Sequence, residues 1–527
     1  MFDRVFRDVT VVDGTGQPRF QSDVGISDGK IAAVGSDLGP GKREEVGQGR
    51  VLAPGFIDLH THSDFSLFVD PRGESKVRQG VTTEVIGNCG GWAIPLEGEC
   101  RTVAEDEFHR VGGTGSLPWC SLDEYFEYIA KQGVSPNVAA LVGQGAVRAA
   151  VMGFDPGAPS ADELRKMRCY VQNAMAQGAF GMSSGLYYAP GSYAETDEVV
   201  ALAKEVAAYD GIHSVHLRDE STYSVGLMAA LEEALTIGER SGVRTQVSHL
   251  KALGPGVWGQ APALLERLEN ARAEGLDVLA DQYPYTASGS SITGALIPRW
   301  AQEGGREALI GRIDDPSVRP DLLEGVRESL ERRGGAERLM IAGYPPDARL
   351  EGQRLSEVAA ARGEAADVTA LELLREADAA FVCFVMQEED VAAIMADPSV
   401  MIASDGRAVA IDGPTSKGHP HPRYFGTFPR VLGRYTREQN ILTLEQAIHK
   451  MTGMPAVRLG LGDRGLLQPG HWADLVLFDA ERVADRATFE NPKQYPIGIE
   501  QVFVNGVPVI VEETHTGERP GRVLRKR

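Results

Sequence analysis

The sequence predicts an α/β chain whose centre is a TIM-type (β/α)8 barrel, with a small β-sandwich built from both termini. Three observations carry this. The middle of the chain alternates short apolar runs with amphipathic segments, the pattern of parallel βαβ units. Both ends instead alternate apolar and polar positions and are broken by turn pairs. His, Cys and Asp residues recur where the apolar runs stop, on the rim where barrels of this kind keep their chemistry.

The elements follow in chain order. Over residues 1–52, RVFRDVTVVDG and SDVGISDGKIAAVGSDL alternate in the manner of half-buried strands, and DG and GS pairs serve as hairpin turns. The barrel is expected over 53–462. Its strand candidates are GFIDLHTH (55–62), TTEVIGNC (82–89), VAALVG (138–143), FGMSSG (180–185), IHSVHLR (212–218), TQVSHLK (245–251), VLADQYPY (278–285) and VMIASDG (400–406). Segments such as DEVVALAKEVAAY and ALLERLENARAEG are amphipathic helices between them. LMIAGY (339–344) and AFVCFV (380–385) are further strand candidates, so a count of eight means choosing among ten. A helical insertion is expected over about 298–338, before the last strand. From 463 to 527, GHWADLVLFDA and IEQVFVNGVPVI return to short alternating strands with an NG turn, and complete the β-sandwich.

Composition narrows the function. With 43% hydrophobic and 24% charged residues among 527, the chain is neither disordered nor fibrous. Its 61 glycines imply many tight turns. A net charge of −21 opposes phosphate backbones and anionic bilayers, so neither nucleic acid nor membrane is expected as a partner. The start, MFDRVFRDVTVVDGTG, lacks the basic and apolar regions of a signal peptide. No window holds 18 uninterrupted apolar residues. Five widely spaced cysteines do not make a disulfide framework, and a cytoplasmic location is expected.

The chemistry starts at GFIDLHTH. His60 and His62 lie two apart, so on a strand both face one way, and Asp58 is one alternation back. These suit a borderline-soft cation such as zinc, although a histidine pair bonded to buried backbone fits H-x-H equally well. Cys89, His216, His249 and Asp405 each fall where another strand pattern ends. Six ligand-type residues at the ends of five strands favour a metal site. His213 is three residues from His216 and is expected to face away. His419 and His421 sit in a proline-interleaved loop suited to shaping a lid, and His109, His449, His471 and His515 have no ligand context.

GFIDLHTH, VIGNCG, SVHLRDE, VSHLK, DQYPYTAS, ASDG and HPHPRYFGTFPRVLG together resemble the D-aminoacylase (N-acyl-D-amino-acid deacylase) branch of the amidohydrolase superfamily, nearly end to end. The resemblance implies one metal site formed by His60, His62 and Asp405. It implies a tighter Zn2+ held by Cys89, His216 and His249, with Cys89 able to bridge toward the first site. Many members of the superfamily bridge with a carboxylated lysine. The third and fourth strand candidates here hold no lysine, which favours Cys89.

The activity so implied is hydrolysis of the amide bond of N-acyl-D-amino acids to a carboxylate and a free D-amino acid. Metal-activated hydroxide would attack, with Asp405 as general base and then acid. The small-molecule substrate carries an α-carboxylate, for which Lys251, Tyr283 and Arg423 are the candidates in the family's positions. Relatives of broad or apolar preference often have proline where Arg299 stands in ALIPRW, while relatives acting on N-acyl-D-glutamate use an arginine nearby. Two other readings are a cyclic-amide hydrolase of the hydantoinase or dihydroorotase kind and a non-catalytic barrel of the same fold. Cys89 opposes the first, and the complete ligand set opposes the second. Preference for the D-form rests on the resemblance alone.

Overall fold

The structure, a computed structural model, describes residues 1–526. Eight strands line up in sequence order in one parallel sheet: Phe56–Asp58 (β1), Val81–Ile86 (β2), Asn137–Gly143 (β3), Gly181–Gly185 (β4), Ile212–His216 (β5), Arg244–Val247 (β6), Val278–Gln282 (β7) and Val400–Ile402 (β8). A parallel bridge between Thr61 and Gly406, just past β1 and β8, brings the two edges together. The sheet is therefore a barrel, made of the eight strand candidates at 55–62 through 400–406. Every residue of β3 is buried, because helices cover its outer face and the barrel interior its inner face, and this is why it reads as an unbroken apolar run. The helix Leu122–Gln132 that leads to β3 opens with a capping box: Ser121 accepts from the Glu124 amide while Glu124 reaches back.

The two surplus candidates are strands of a different sheet. Leu339–Gly343 and Ala380–Cys383 pair antiparallel, and Ala380–Cys383 also pairs with Ser288–Ser291. This corrects the insertion. It was expected as helical over about 298–338, but it is an α/β unit that runs from Ser288 to Cys383. Its helices Gly305–Asp314, Arg319–Arg332, Leu355–Arg362 and Ala366–Glu376 pack around Ile341, Phe381, Leu371 and Leu330. An apolar run reports that a strand is buried and says nothing of which sheet buries it.

The termini meet in one nine-stranded sheet, where Val51–Pro54 pairs antiparallel with Leu475–Phe478. The expected sandwich is a single sheet folded back on itself. The Asp28–Gly29 turn reaches the Asn505 backbone, and Phe6 meets Phe503 edge-to-face at 5.5 Å in a core shared with Val24, Ile26 and Leu475. The other face of this sheet, with Val476, Phe478 and Val502, packs against Phe56 and the helix Leu444–Met451. Among the described residues no helix is long and apolar enough to cross a membrane.

The edge between β1 and β8 is held by a buried ion pair. Lys76, on the short helix Glu74–Val77, donates to Asp58 Oδ2 at 2.7 Å and to Ser404 Oγ at 2.6 Å. Ser404 N donates to Asp58 Oδ1 at 2.9 Å. Neither charged side chain is exposed at all. Asp58, which the alternation aligned with His60 and His62, is thus spent on the seam and does not join them. Replacing Lys76 by Met strands a buried carboxylate, a change that costs about 3–5 kcal/mol. Urea unfolding of Lys76→Met against wild type is expected to show that loss, and Lys76→Met with Asp58→Asn a smaller one.

Candidate metal centre and its pocket

The ligand-type residues lie where the barrel strands end. His216 is the last residue of β5, and the other five fall two to four residues beyond their strands. Two groups result. His60, His62, Cys89 and Asp405 form one, and Cys89, His216 and His249 the other; within each group the ligand atoms lie within 4.8 Å of one another. Cys89 is common to both: its Sγ is 3.2 Å from His60 Nε2 and 3.5 Å from His249 Nε2. On the far side, His62 Nε2 is 3.0 Å from Asp405 Oδ1. The chain brings together all six residues that the sequence singles out as ligands.

Three of them hold a backbone conformation that L-residues avoid. Cys89, His249 and Asp405 have φ of 54°, 35° and 48°. Each kink turns the chain out of its strand and points the side chain back across the mouth of the barrel. The turn at Cys89 also needs a bare neighbour, because a Cβ at Gly185 would collide with the Cys89 carbonyl oxygen.

Carboxylates that the sequence reading left without a role orient the imidazoles. Asp281 accepts from His249 N at 2.8 Å and lies 3.5 Å from His60 Nδ1. Glu220 lies 3.2 Å from His249 Nδ1 and 3.5 Å from His216 Nε2. An anion behind a ring nitrogen leaves the other nitrogen free to bind a metal. Both residues sit inside motifs already quoted, SVHLRDE and DQYPY, and the i, i+4 spacing of His216 and Glu220 was the available signal.

Burial alone would raise the Cys89 thiol, but the neighbouring His60 and His249 hold it well below its usual value. His62 and His216 are each raised to about 9: burial opposes this, and the Asp405 carboxylate for His62 and Glu220 for His216 outweigh it. Asp405 is held well below the carboxylate range, against burial, by Arg423 and His249. The donor set is thus a half-buried thiolate among imidazoles, with His60 Nδ1 and both His216 nitrogens lacking hydrogen-bond partners. That set fits zinc.

The three carboxylate-anchor candidates surround this centre unequally. Arg423 Nη1 is 2.8 Å from Asp405 Oδ2, and its guanidinium lies 4.7 Å from the Tyr283 ring centre. The Tyr283 hydroxyl is buried with no partner. A Cβ at Gly289, on a strand of the insertion, would stand 3.0 Å from Arg423 Nη2, so that strand passes close beside the guanidinium. Lys251 is more committed than the sequence suggested: it pairs with Glu220 and sits 2.7 Å from His249 Nδ1. Its nitrogen lies 5.8 Å from the Tyr283 ring centre. Arg299 stands over Tyr187 and Tyr223, and Tyr187 in turn stacks on His216 at 5.5 Å. His213 bonds to Ser184 Oγ, and His421 spans Ala287 O and Arg423 N, so neither joins the metal centre.

The sequence profile of the amidohydrolase family matches residues 48–510. The chain is 39% identical over 520 residues to an N-acyl-D-glutamate deacylase of Alcaligenes xylosoxydans xylosoxydans, covering 98% of this chain and 95% of that protein. It is 37% identical over 525 residues to a D-aminoacylase of the same organism, covering 99% and 97%. The crystal structure of N-acyl-D-glutamate deacylase from Bordetella bronchiseptica, complexed with zinc and a phosphonate that mimics the tetrahedral intermediate, superposes with a TM-score of 0.85 at 36% identity, covering 99% of each chain.

Removing the shared thiolate takes a charged ligand from both groups. Cys89→Ala, purified with zinc and assayed by plasma mass spectrometry, is expected to retain a minor fraction of the wild-type metal. Full occupancy would exclude Cys89 as a ligand.

Proposed function

Because the chain belongs to the amidohydrolase family, we propose that it hydrolyses N-acyl-D-amino acids to a carboxylate and a free D-amino acid. The observation that carries this reading is the arrangement around Asp405. One carboxylate faces a histidine of the shared-thiolate centre on one side and a guanidinium on the other. Cys89, His216 and His249 would hold the tighter zinc and His60, His62 and Asp405 a second, weaker one, and bound zinc would supply Lewis acidity toward an amide carbonyl and a water.

The chain's own groups do the rest. Asp405, ionised at neutral pH, takes a proton from the attacking water and returns it to the amide nitrogen, without which the amine leaves poorly. Arg423 binds the α-carboxylate through the guanidinium edge not turned to Asp405, and the unpartnered Tyr283 hydroxyl donates a second bond. Lys251 adds positive charge beside them while it holds Glu220. Arg299 recognises a side-chain carboxylate: its Nε is buried without a partner, and it lies one aromatic ring from His216. An acidic D-side chain is therefore the favoured substrate class. All five cysteines are free, which supports a reducing, cytoplasmic setting.

The deciding assay offers zinc-loaded protein N-acetyl-D-glutamate, N-acetyl-D-leucine and their L-forms. Turnover of D-forms only is expected, with glutamate ahead of leucine, and no D-turnover would overturn the reading. Arg299→Leu is expected to cost about 2 kcal/mol or more in kcat/KM for the glutamyl substrate and little for the leucyl one. Asp405→Asn keeps the shape but cannot accept the proton, so kcat is expected to fall by at least roughly 10²-fold with the tighter zinc retained. Arg423→Lys replaces a planar fork by a point charge. It is expected to lower kcat/KM strongly for free acids and much less for the matching N-acyl amino amides; equal losses would assign Arg423 to the loop alone.

A further inference from the structure

A cavity lined by residues that follow Asp405 and Arg423 in the chain is strongly cationic. It has a volume of about 80 Å3 and lies between the end of the helix Gly98–Arg110 and the loop that follows Asp405. Arg110, Arg407, Lys417 and Lys493 line it, together with Thr415 and Tyr424. At about 30 Å3 per water, the space holds two or three waters, the size of a carboxylate or small oxyanion. Among the described residues, Glu107 is the one carboxylate that pairs with any of the four cations: it contacts Arg407 and lies 3.2 Å from Arg110 Nη1. Lys493 donates to the Ser416 carbonyl. Lys417 is exposed.

In a chain of net charge −21, four cations converging on one cavity, with Glu107 paired to two of them and Asp64 acting on Arg407 from the protein interior, is a large local reversal. Like charges held together around an empty space repel each other, and an anion placed among them relieves that repulsion. The cavity is also joined to the reaction centre through the backbone. Arg407 follows Asp405 and Gly406, and the Gly406 carbonyl accepts from His62 N at 2.9 Å. Tyr424 follows Arg423. The loop itself leans on the same helix end, since a Cβ at Gly112 would stand 2.5 Å from Pro414 O.

We infer that this cavity is an anion site for a carboxylate or small oxyanion, distinct from the α-carboxylate anchor at Arg423. The anion has two sources of the same chemistry: a free ion from solution, or a terminal carboxylate on the acyl group of the substrate. The second source rests on the deacylase reading given above; the first does not.

Two arms separate them. In the first, kcat/KM is compared for N-succinyl and N-acetyl derivatives of the same D-amino acid, in wild type, Lys417→Glu and Arg110→Glu. Both positions are exposed, so the fold is expected to survive. If the acyl tail fills the cavity, each variant loses about tenfold for the succinyl substrate and keeps the acetyl rate. In the second arm, sulfate is titrated calorimetrically into the zinc-loaded proteins. A free-anion site binds it in wild type, and about tenfold more weakly in both variants, without competing with the acetyl substrate. Change in either arm supports the site and identifies its source. If neither arm responds, the cavity is no anion site. Absence of acetyl turnover in wild type would overturn the deacylase reading and leave the sulfate arm to decide this one.

Discussion

The arrangement of this molecule depends on the closing of its barrel between the first strand and the last. His60, His62 and Cys89 follow the first two strands and Asp405 the eighth, more than 300 residues later. They come together because Lys76 sits between Asp58 and Ser404, and because the Asp405 and His62 amides donate to the carbonyls of His60 and Gly406. A buried lysine and aspartate are tolerated there because each satisfies the other and both bond to Ser404 or its backbone. The price of burying them returns as a fixed spacing between a proton acceptor and the imidazoles that face it.

From that closure follows the electrostatics of the mouth. Six ligand-type side chains in a space a few ångströms across place a thiolate, several imidazoles and a carboxylate largely away from water, where charges interact more strongly. Asp281 and Glu220 supply negative charge behind the rings, where Lys251 pairs with Glu220, while Arg423 supplies positive charge beside Asp405. Backbone strain at Cys89, His249 and Asp405 is sustained because the strands beneath are rigid and the side chains above are held on several sides. The centre is thus held at the ends of the barrel strands and in the turns just beyond them.

The α/β insertion divides the labour differently. It leaves the barrel after β7 and returns before β8, so it stands over the mouth between the tyrosines of DQYPY and the loop of Asp405. Its first strand passes close to the Arg423 guanidinium at Gly289, and it carries Arg299 to Tyr223 and to Tyr187, which stacks on His216. The ligand-type residues are therefore carried by the barrel, while the insertion and the 407–420 loop border them from other segments of the chain.

By itself the sequence determined the barrel, the β-structure of both ends and which ligand-type residues cluster at the barrel mouth. Burial on two faces writes a continuous apolar run, and a His, Cys or Asp that ends such a run stands out against it. Tertiary structure alone decided which runs shared a sheet, since 339–344 and 380–385 read like barrel strands and lie in the insertion. It decided that Asp58 turns to Lys76 although alternation aligned it with His60 and His62, because the strand ends at Asp58 and the histidines lie in the loop beyond it. It also decided that Lys251 is tied to Glu220, and that four cations from three separate segments border one cavity. Local periodicity reports how a residue is buried; which partner buries it depends on contacts between residues far apart in the chain, and only the folded chain fixes those.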